Sequence, residues 1–357
     1  MPNYFRTHGL VLRAAAAILA LTLFSLHCNA QPAALTPDAI NTAELTSEAT
    51  KPSRLPRALI ARAQILLDRA RFSPGEIDGK FGENFEKAVL AYAEMHGTSP
   101  GDGLTGDLWA KLASASAVPA VTEYKITEDD VKGPFLPKVP SKMEDMKDIA
   151  TIAYASPLEA LAEKFHMSEE LLQALNPGKA FDRAGETVLV ANVTSDEPPQ
   201  KASRVEVDNL AQTVRVFDKG NNLIAFYPAT VGSEENPTPS GVLKVVNVVQ
   251  NPSYTYNPKY AFKGVRSEKP FKINPGPNNP IGSIWIGLSE KSYGIHGTAN
   301  PAKISKSESH GCVRLTNWDA QDLAKRVSKG TPVTFEAKTA GNDSQSGPSR
   351  RKPPKRG

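Results

Sequence analysis

Residues 293–315 read YGIHGTANPAKISKSESHGCVRL. His296 stands sixteen positions before Cys312, and His310 two before it. A thiol becomes a nucleophile when its pKa is lowered or a base takes its proton, and histidine titrates in the range that task needs. Gly311 permits a sharp turn that would expose the N–H groups of Gly311 and Cys312 beside the sulfur, where a tetrahedral oxyanion requires donors. The stretch therefore offers a nucleophile, a base and an oxyanion hole. Two other readings use the same residues. A lone cysteine is more often a small buried hydrophobe, a reading that the S-H-G-C-V-R-L context disfavours, and His296, His310 and Cys312 would make three ligands of a zinc ion that lacks an evident fourth.

The pattern H-G-T at 296–298 followed by S-H-G-C-V-R-L at 309–315 resembles the signature of the L,D-transpeptidases, the YkuD-type catalytic domain of bacterial cell-wall enzymes. The resemblance implies His296 as the base and Cys312 as the nucleophile. His310 and Gly311 would shape the site, and Arg314 belongs to the same pattern. Tyr293, Gly297, Thr298 and Ser309 are the substrate-binding candidates on this stretch. No metal and no cofactor is implied. The family often has Ile-Gly a few residues before S-H-G-C, where this chain has Ile304–Ser305. The implied reaction is acyl transfer through a thioester. Cys312 attacks the third residue of a peptidoglycan tetrapeptide stem, D-alanine leaves, and an amine acceptor takes the acyl group. The sulfur would also be open to carbapenems. A thiol-dependent hydrolase or carboxypeptidase and a non-catalytic wall-binding scaffold are the alternatives.

Outward from this stretch the chain is β in character from 204 to 336, and the fold expected by resemblance is a mainly β catalytic domain, a YkuD-like β-sandwich with a helix. Arg204–Asp208 and Thr213–Phe217 alternate with period two, and Gly220-Asn221-Asn222 signals a hairpin into a strand over 223–231. Asn236-Pro-Thr-Pro-Ser-Gly241 is a rigid loop before a strand at 242–249, and its T-P-S-G also resembles the family pattern. Residues 251–280 form a long irregular excursion, the length at which loops become functional lids. Its Tyr254, Tyr256, Tyr260, Phe262 and Phe271 either line a substrate groove or fill a satellite core. Ile284–Leu288 is a strand entering the catalytic stretch. A helix over 317–327 leaves it with Asn317 as N-cap, and Pro332–Phe335 is the last strand.

Upstream, Leu59, Ala63, Leu66, Leu67 and Ala70 recur at helical spacing, as do Phe85, Ala88, Val89 and Tyr92, and then Leu108 and Leu112. With D-G-x-F-G at 78–82 and W-x-x-L at 109–112, residues 53–115 resemble the small three-helix peptidoglycan-binding domain. A generic helical bundle is the alternative. Residues 116–148 read as a linker. Residues 149–194 give a helix at 158–165, a second at 169–175 capped near Ser168, Asn176-Pro177-Gly178, and a strand at 187–191. That order resembles a LysM module, a small α+β glycan-binding fold, with its first strand placed at Ile149–Ala153. A structural insert is the competing reading.

At 357 residues the chain is long enough for two or three domains, and 40% hydrophobic with 22% charged residues is ordinary for a globular protein. A net charge of +4 without interleaved basic and aromatic residues gives no nucleic-acid signature. Arg6 and Arg13 precede an uncharged apolar run at 14–26, and Cys28-Asn29-Ala30 offers small residues for cleavage, so 1–30 reads as a signal peptide and the protein as periplasmic or otherwise extracytoplasmic. Lipidation at Cys28 and an uncleaved anchor are the other options. After cleavage Cys312 has no disulfide partner. Residues 31–52 read as a linker. The 337–357 tail, with Arg350, Arg351, Lys352, Lys355 and Arg356, reads as disordered, with weak membrane association as a further possibility.

Overall fold

The computed structural model describes residues 35–46, 55–98, 103–195, 198–233, 237–260, 264–307, 309 and 311–336. The expected signal peptide, Cys28, the basic tail, Phe262 and His310 lie outside the described residues.

A short helix, α1 (Pro37–Asn41), falls within the expected first linker. Helices α2 (Arg57–Arg69), α3 (Glu83–Met95) and α4 (Gly106–Ser114) stand where the apolar spacing put them. Thr105 starts α4 by accepting a hydrogen bond from the Leu108 amide. The expected linker at 116–148 instead carries β1 (Val121–Lys125), α5 (Glu128–Lys132) and a single turn at Met143–Met146. Then come α6 (Pro157–Lys164), α7 (Glu169–Leu175) and β2 (Thr187–Ala191). The antiparallel partner of β2 is β1, with Val121 opposite Ala191, so the small module takes its first strand from 121–125 and not from 149–153. The sequence hid this strand because only one of its five side chains is buried, leaving no alternation to read.

The C-terminal half holds β3 (Arg204–Asp208), β4 (Thr213–Phe217), β5 (Leu223–Pro228), β6 (Gly241–Gln250), β7 (Tyr254–Tyr256), β8 (Phe271–Ile273), β9 (Ile284–Leu288), β10 (Gly294–His296), β11 (Val313–Arg314), α8 (Asn317–Arg326) and β12 (Pro332–Glu336). Eight of these strands form one sheet in the order β11-β10-β9-β6-β12-β3-β4-β5. Strand β6 is long enough to serve both halves. Gly241–Lys244 pair with β12, and 245–250 pair with β9 across an irregularity near Val245. The chain leaving β5 then reaches the opposite edge, where Thr230 and Arg314 exchange two backbone hydrogen bonds of 2.9 and 2.8 Å. The expected sandwich is therefore a single curled sheet, with edge strand β11 paired as well. One core fills its concave side, from Val205, Val214 and Tyr227 to Ile286, Ile295 and Val313, sealed by Ala320 and Leu323 of α8.

The upstream modules are welded to this sheet. Phe72 and Tyr92 share a core with Phe217, Leu223 and Phe226. Ser73 donates its amide to Phe226 and Phe226 donates to Arg71, so residues 71–73 pair with edge strand β5. A third core joins Ile40, Ile65 and Ile77 to Leu161, Leu171 and Val190. Buried Arg69 fastens the end of α2 to the carbonyls of Asn192, Val118 and Pro119. Residues 142–154 form a strap along the β7–β8 hairpin, with Met146 and Ile152 buried against Ile273. Among the described residues no helix is long and apolar enough to cross a membrane.

Candidate active site

Strands β10 and β11 are parallel neighbours, with Ile295 opposite Val313 and His296 opposite Arg314. Two segments sixteen residues apart in sequence are thus laid side by side, and Cys312 enters β11 just as β10 passes. Both side chains open on one cavity of about 440 Å³, lined also by Ser292, Trp285, Ser309 and Arg314.

The imidazole of His296 is 4% exposed and stacks on Trp285 at 5.8 Å between ring centres. Its Nδ1 lies 2.7 Å from the carbonyl oxygen of Gly297. A carbonyl only accepts, so Nδ1 carries the proton, and Nε2 of the neutral ring keeps its lone pair. Burial, aided by the Arg314 cation, lowers the His296 pKa to about 3. The Cys312 thiol points toward the Ser292 carbonyl at 3.6 Å. Burial pushes its pKa up, opposed by the Gly294 amide and by Arg314. Burial therefore disfavours the charged form of both groups.

The glycines of the motif are steric requirements. Gly311 has φ +103°, and a Cβ there would meet the Tyr293 ring at 2.8 Å and the Pro237 carbonyl at 3.3 Å. Tyr293 thus braces the turn before the cysteine. At Gly297 a Cβ would lie 2.1 Å from Asn317 Oδ1. Asn317 is not the helix cap expected from sequence. Thr316 caps α8 by accepting from the Asp319 amide, which frees Asn317 to accept from the Ser283 amide and donate to Glu163 on α6. Glu163, outside the sheet-forming half of the chain, therefore holds the side chain on which the H-G-T turn rests.

The other site candidates are distributed unequally. Ser309 donates its hydroxyl to the Cys312 carbonyl at 2.5 Å and accepts from the Gly311 amide at 3.2 Å. The Gly311 N–H expected in an oxyanion hole is thus engaged in shaping the turn. Thr298 is buried and accepts from the Asn300 amide, a loop-forming role. Ser305 has φ +62°, the conformation glycine favours, and is held there by its amide donating to Thr230 Oγ1 and its hydroxyl donating to the Ala229 carbonyl. This accounts for a serine where Ile-Gly was expected.

The aromatic residues of the long excursion divide between the two roles considered for them. Tyr254 lines the cavity, whereas Tyr256 is buried and packs on Phe271 at 4.8 Å. Sequence reasoning missed Trp285, Ser292 and Met143 as cavity residues. The aromatic neighbour of a histidine across a strand pair was the one signal available, at Trp285, and it required the register.

A histidine on one strand and a cysteine just before its neighbour, opening on one cavity with a cation that lines it, make a candidate thiol–imidazole site. Residues 202–335 match the L,D-transpeptidase catalytic domain, YkuD. YkuD of Bacillus licheniformis, which is named as an L,D-transpeptidase, is 30% identical over 180 residues, spanning 50% of this chain and 92% of that protein. The probable L,D-transpeptidase YbiS of Escherichia coli is 29% identical over 224 residues, 60% of this chain and 72% of that one. Among solved structures, an L,D-transpeptidase from Mycobacterium smegmatis aligns with 42% of this chain and 66% of that chain, at 18% identity and a TM-score of 0.31. The chain belongs to the L,D-transpeptidase family.

Proposed function

We propose that this protein is an extracytoplasmic L,D-transpeptidase acting on peptidoglycan, with Cys312 as nucleophile and His296 as base. The observation that carries this reading is the parallel pairing of β10 with β11, which opens the thiol and the neutral imidazole on one cavity. In the first half-reaction the Cys312 sulfur bonds to the carbonyl carbon of the third stem residue, meso-diaminopimelate. The thiol proton passes to His296 Nε2 and then to the nitrogen of the departing D-alanine as the C–N bond breaks. In the second half the amine of another stem, or of a wall-linked protein, attacks the thioester, and the C–S bond breaks as the sulfur recovers a proton. In this reading the proton moves to His296 as the sulfur attacks, since burial disfavours the charged form of both groups. The Cys312 amide and the Arg314 cation are the groups proposed to meet the developing oxyanion or a stem carboxylate. His310 keeps its role by resemblance alone.

The helical module at 53–115 and the LysM-like module at 149–194 are proposed to hold glycan strands, and the leader at 1–30 to export the chain. No nucleic acid is part of this reading. Incubation with purified disaccharide-tetrapeptides and mass analysis of the products tests it. Cross-linked dimers that require Cys312 support transfer. Free tripeptide and D-alanine would replace it with hydrolysis. Activity in Cys312→Ala would overturn the site, and loss of activity on chelation with recovery on zinc would revive the metal reading.

A further inference from the structure

The cavity beside Cys312 is not closed by the catalytic domain alone. Met143 is one of its lining side chains, and it lies well ahead of the matched residues 202–335. It sits at the start of the strap, in the stretch that reads as linker from sequence. Several independent contacts fix this segment. The Ile152 amide donates to the Pro275 carbonyl at 3.0 Å, and the Asn278 amide returns to the Ile152 carbonyl at 3.0 Å. Asn274 and Asn278 donate their side-chain amides to the carbonyls of Ile149 and Ala153. The Glu144 carboxylate accepts from the amides of Arg266 and Ser267 on the far side of the hairpin. The strap passes so close over Gly276 that a Cβ there would lie 2.2 Å from the Ile152 carbonyl oxygen. Met146, next to this anchor, is 8% exposed, and Ile152 is fully buried against Ile273. Met143 is therefore presented to the cavity from a fixed backbone, and Tyr254, Val249 and Ile281 line the same cavity.

We infer that Met143 is a specificity-determining residue for the acyl donor, packing against the aliphatic part of the stem residue whose carbonyl is presented to Cys312. The chemistry fits such a ligand. The wall offers thioether and hydrocarbon surface, Arg314 supplies one cation, and a stem residue with a methylene chain ending in a charged group uses both. An unbranched thioether side chain also adapts to small differences in chain length. This inference rests on the proposed transpeptidase reading for its donor, but its geometry can be tested without it.

The experiment uses the full chain with Met143→Ala, Met143→Leu and Met143→Trp. With disaccharide-tetrapeptide donor, Met143→Ala raises KM by about five-fold with kcat within about two-fold, the usual size of a lost apolar contact. Met143→Leu, of similar volume, returns KM to within about two-fold of the parent. In parallel, Cys312 is alkylated with iodoacetamide and with a bulky aromatic maleimide. Met143→Trp slows the bulky reagent and spares the small one, because it narrows the cavity without touching the thiol. Unchanged KM in both the Ala and Trp variants, or equal alkylation by both reagents, overturns the inference. If Cys312→Ala still turns over donor, the assignment of Cys312 as nucleophile fails instead, and the reagent series alone then decides whether Met143 walls the cavity.

Discussion

The strand pair β10–β11 and the strap at 142–154 border the same cavity, and they contribute to it in different ways. On the strands each important residue carries its own chemistry: a thiol, an imidazole, a guanidinium. The strap's residue in the cavity lining is Met143, a thioether with no proton to give or take. Met143 contributes a surface, and Glu144, Ile152 and the asparagines that meet it hold that surface at a fixed distance. Residue type announces the first kind of contribution and is nearly silent about the second. Substitutions on the strands should therefore change the rate of bond making, and those on the strap should change which ligand fits.

The largest effect expected is on the strands. His296→Ala should slow acylation of Cys312 by ~10²–10⁴-fold, the usual worth of a positioned base, as read by intact mass against time. A drop of less than ten-fold would break the comparison by making the imidazole a packing group. The same histidine fixes a pH signature. With its pKa lowered to about 3, the ring stays neutral through the range where a free histidine would charge. The acid limb of kcat/KM should therefore show no inflection near pH 6.5 from His296. The stability consequence has a definite sign. The unfolded chain takes up a proton that the native ring refuses, so this contribution is present above pH ~6.5 and is lost as pH falls toward 3. On the alkaline side, burial holds the Cys312 thiol above its ordinary value, so alkylation should keep rising beyond the pH at which an exposed cysteine levels off.

An intermediate effect belongs to the strap. Gly276→Ala places a methyl group 2.2 Å from the Ile152 carbonyl oxygen, against backbone that cannot swing aside as a side chain can. The cost should be about 1–3 kcal/mol in unfolding free energy, together with faster proteolysis within 142–154. Iodoacetamide should still alkylate Cys312. Parental Tm and protease resistance would mean that the strap is not held where the hydrogen bonds put it.

The same contrast explains how much of the molecule was legible in its sequence. Strands β3 and β4 were read to the residue because Val205, Val207, Val214 and Val216 alternate into one core. Helices α2, α3, α4, α6 and α8 emerged from their apolar spacing, whereas α1 and α5 fell in stretches that read as linkers. Strands β10 and β11, three and two residues long, are too short to carry any period, although they position the chemistry that the motif made plain. The packing of the upstream helices on the sheet was hidden for a related reason. Phe217, Leu223 and Phe226 were assigned to the sheet by alternation, but they face out of its concave core and into the helical module. A side chain's burial is visible as a pattern, whereas the identity of the surface that buries it is not. The strap is the extreme case, since Glu144 meets Arg266 across 122 positions of sequence. Deleting 53–115 would therefore strip core residues from one face of the sheet, and the proposed glycan binding is to be tested by surface substitutions in the intact chain.

The smallest effect sharpens the comparison from inside the catalytic stretch, at a residue whose contribution is shape. Ser305 occupies φ +62°, where a residue with a Cβ is strained and glycine is not. Its hydroxyl donates to the Ala229 carbonyl at 3.1 Å, and its amide donates to Thr230 Oγ1 at 3.0 Å. Ser305→Gly removes the strain and the hydroxyl bond together but keeps the amide bond. A typical hydrogen bond contributes about 0.5–1.5 kcal/mol, and αL strain costs roughly 1–2 kcal/mol. The two changes should nearly cancel, leaving stability within about 1 kcal/mol of the parent and acylation unchanged. Ser305→Ala keeps the strain and loses the hydroxyl bond, so it should be the less stable of the two variants. The difference between them in chemical denaturation isolates the backbone term. If the alanine variant were as stable as the glycine one, the left-handed conformation would not be what the serine is there to hold.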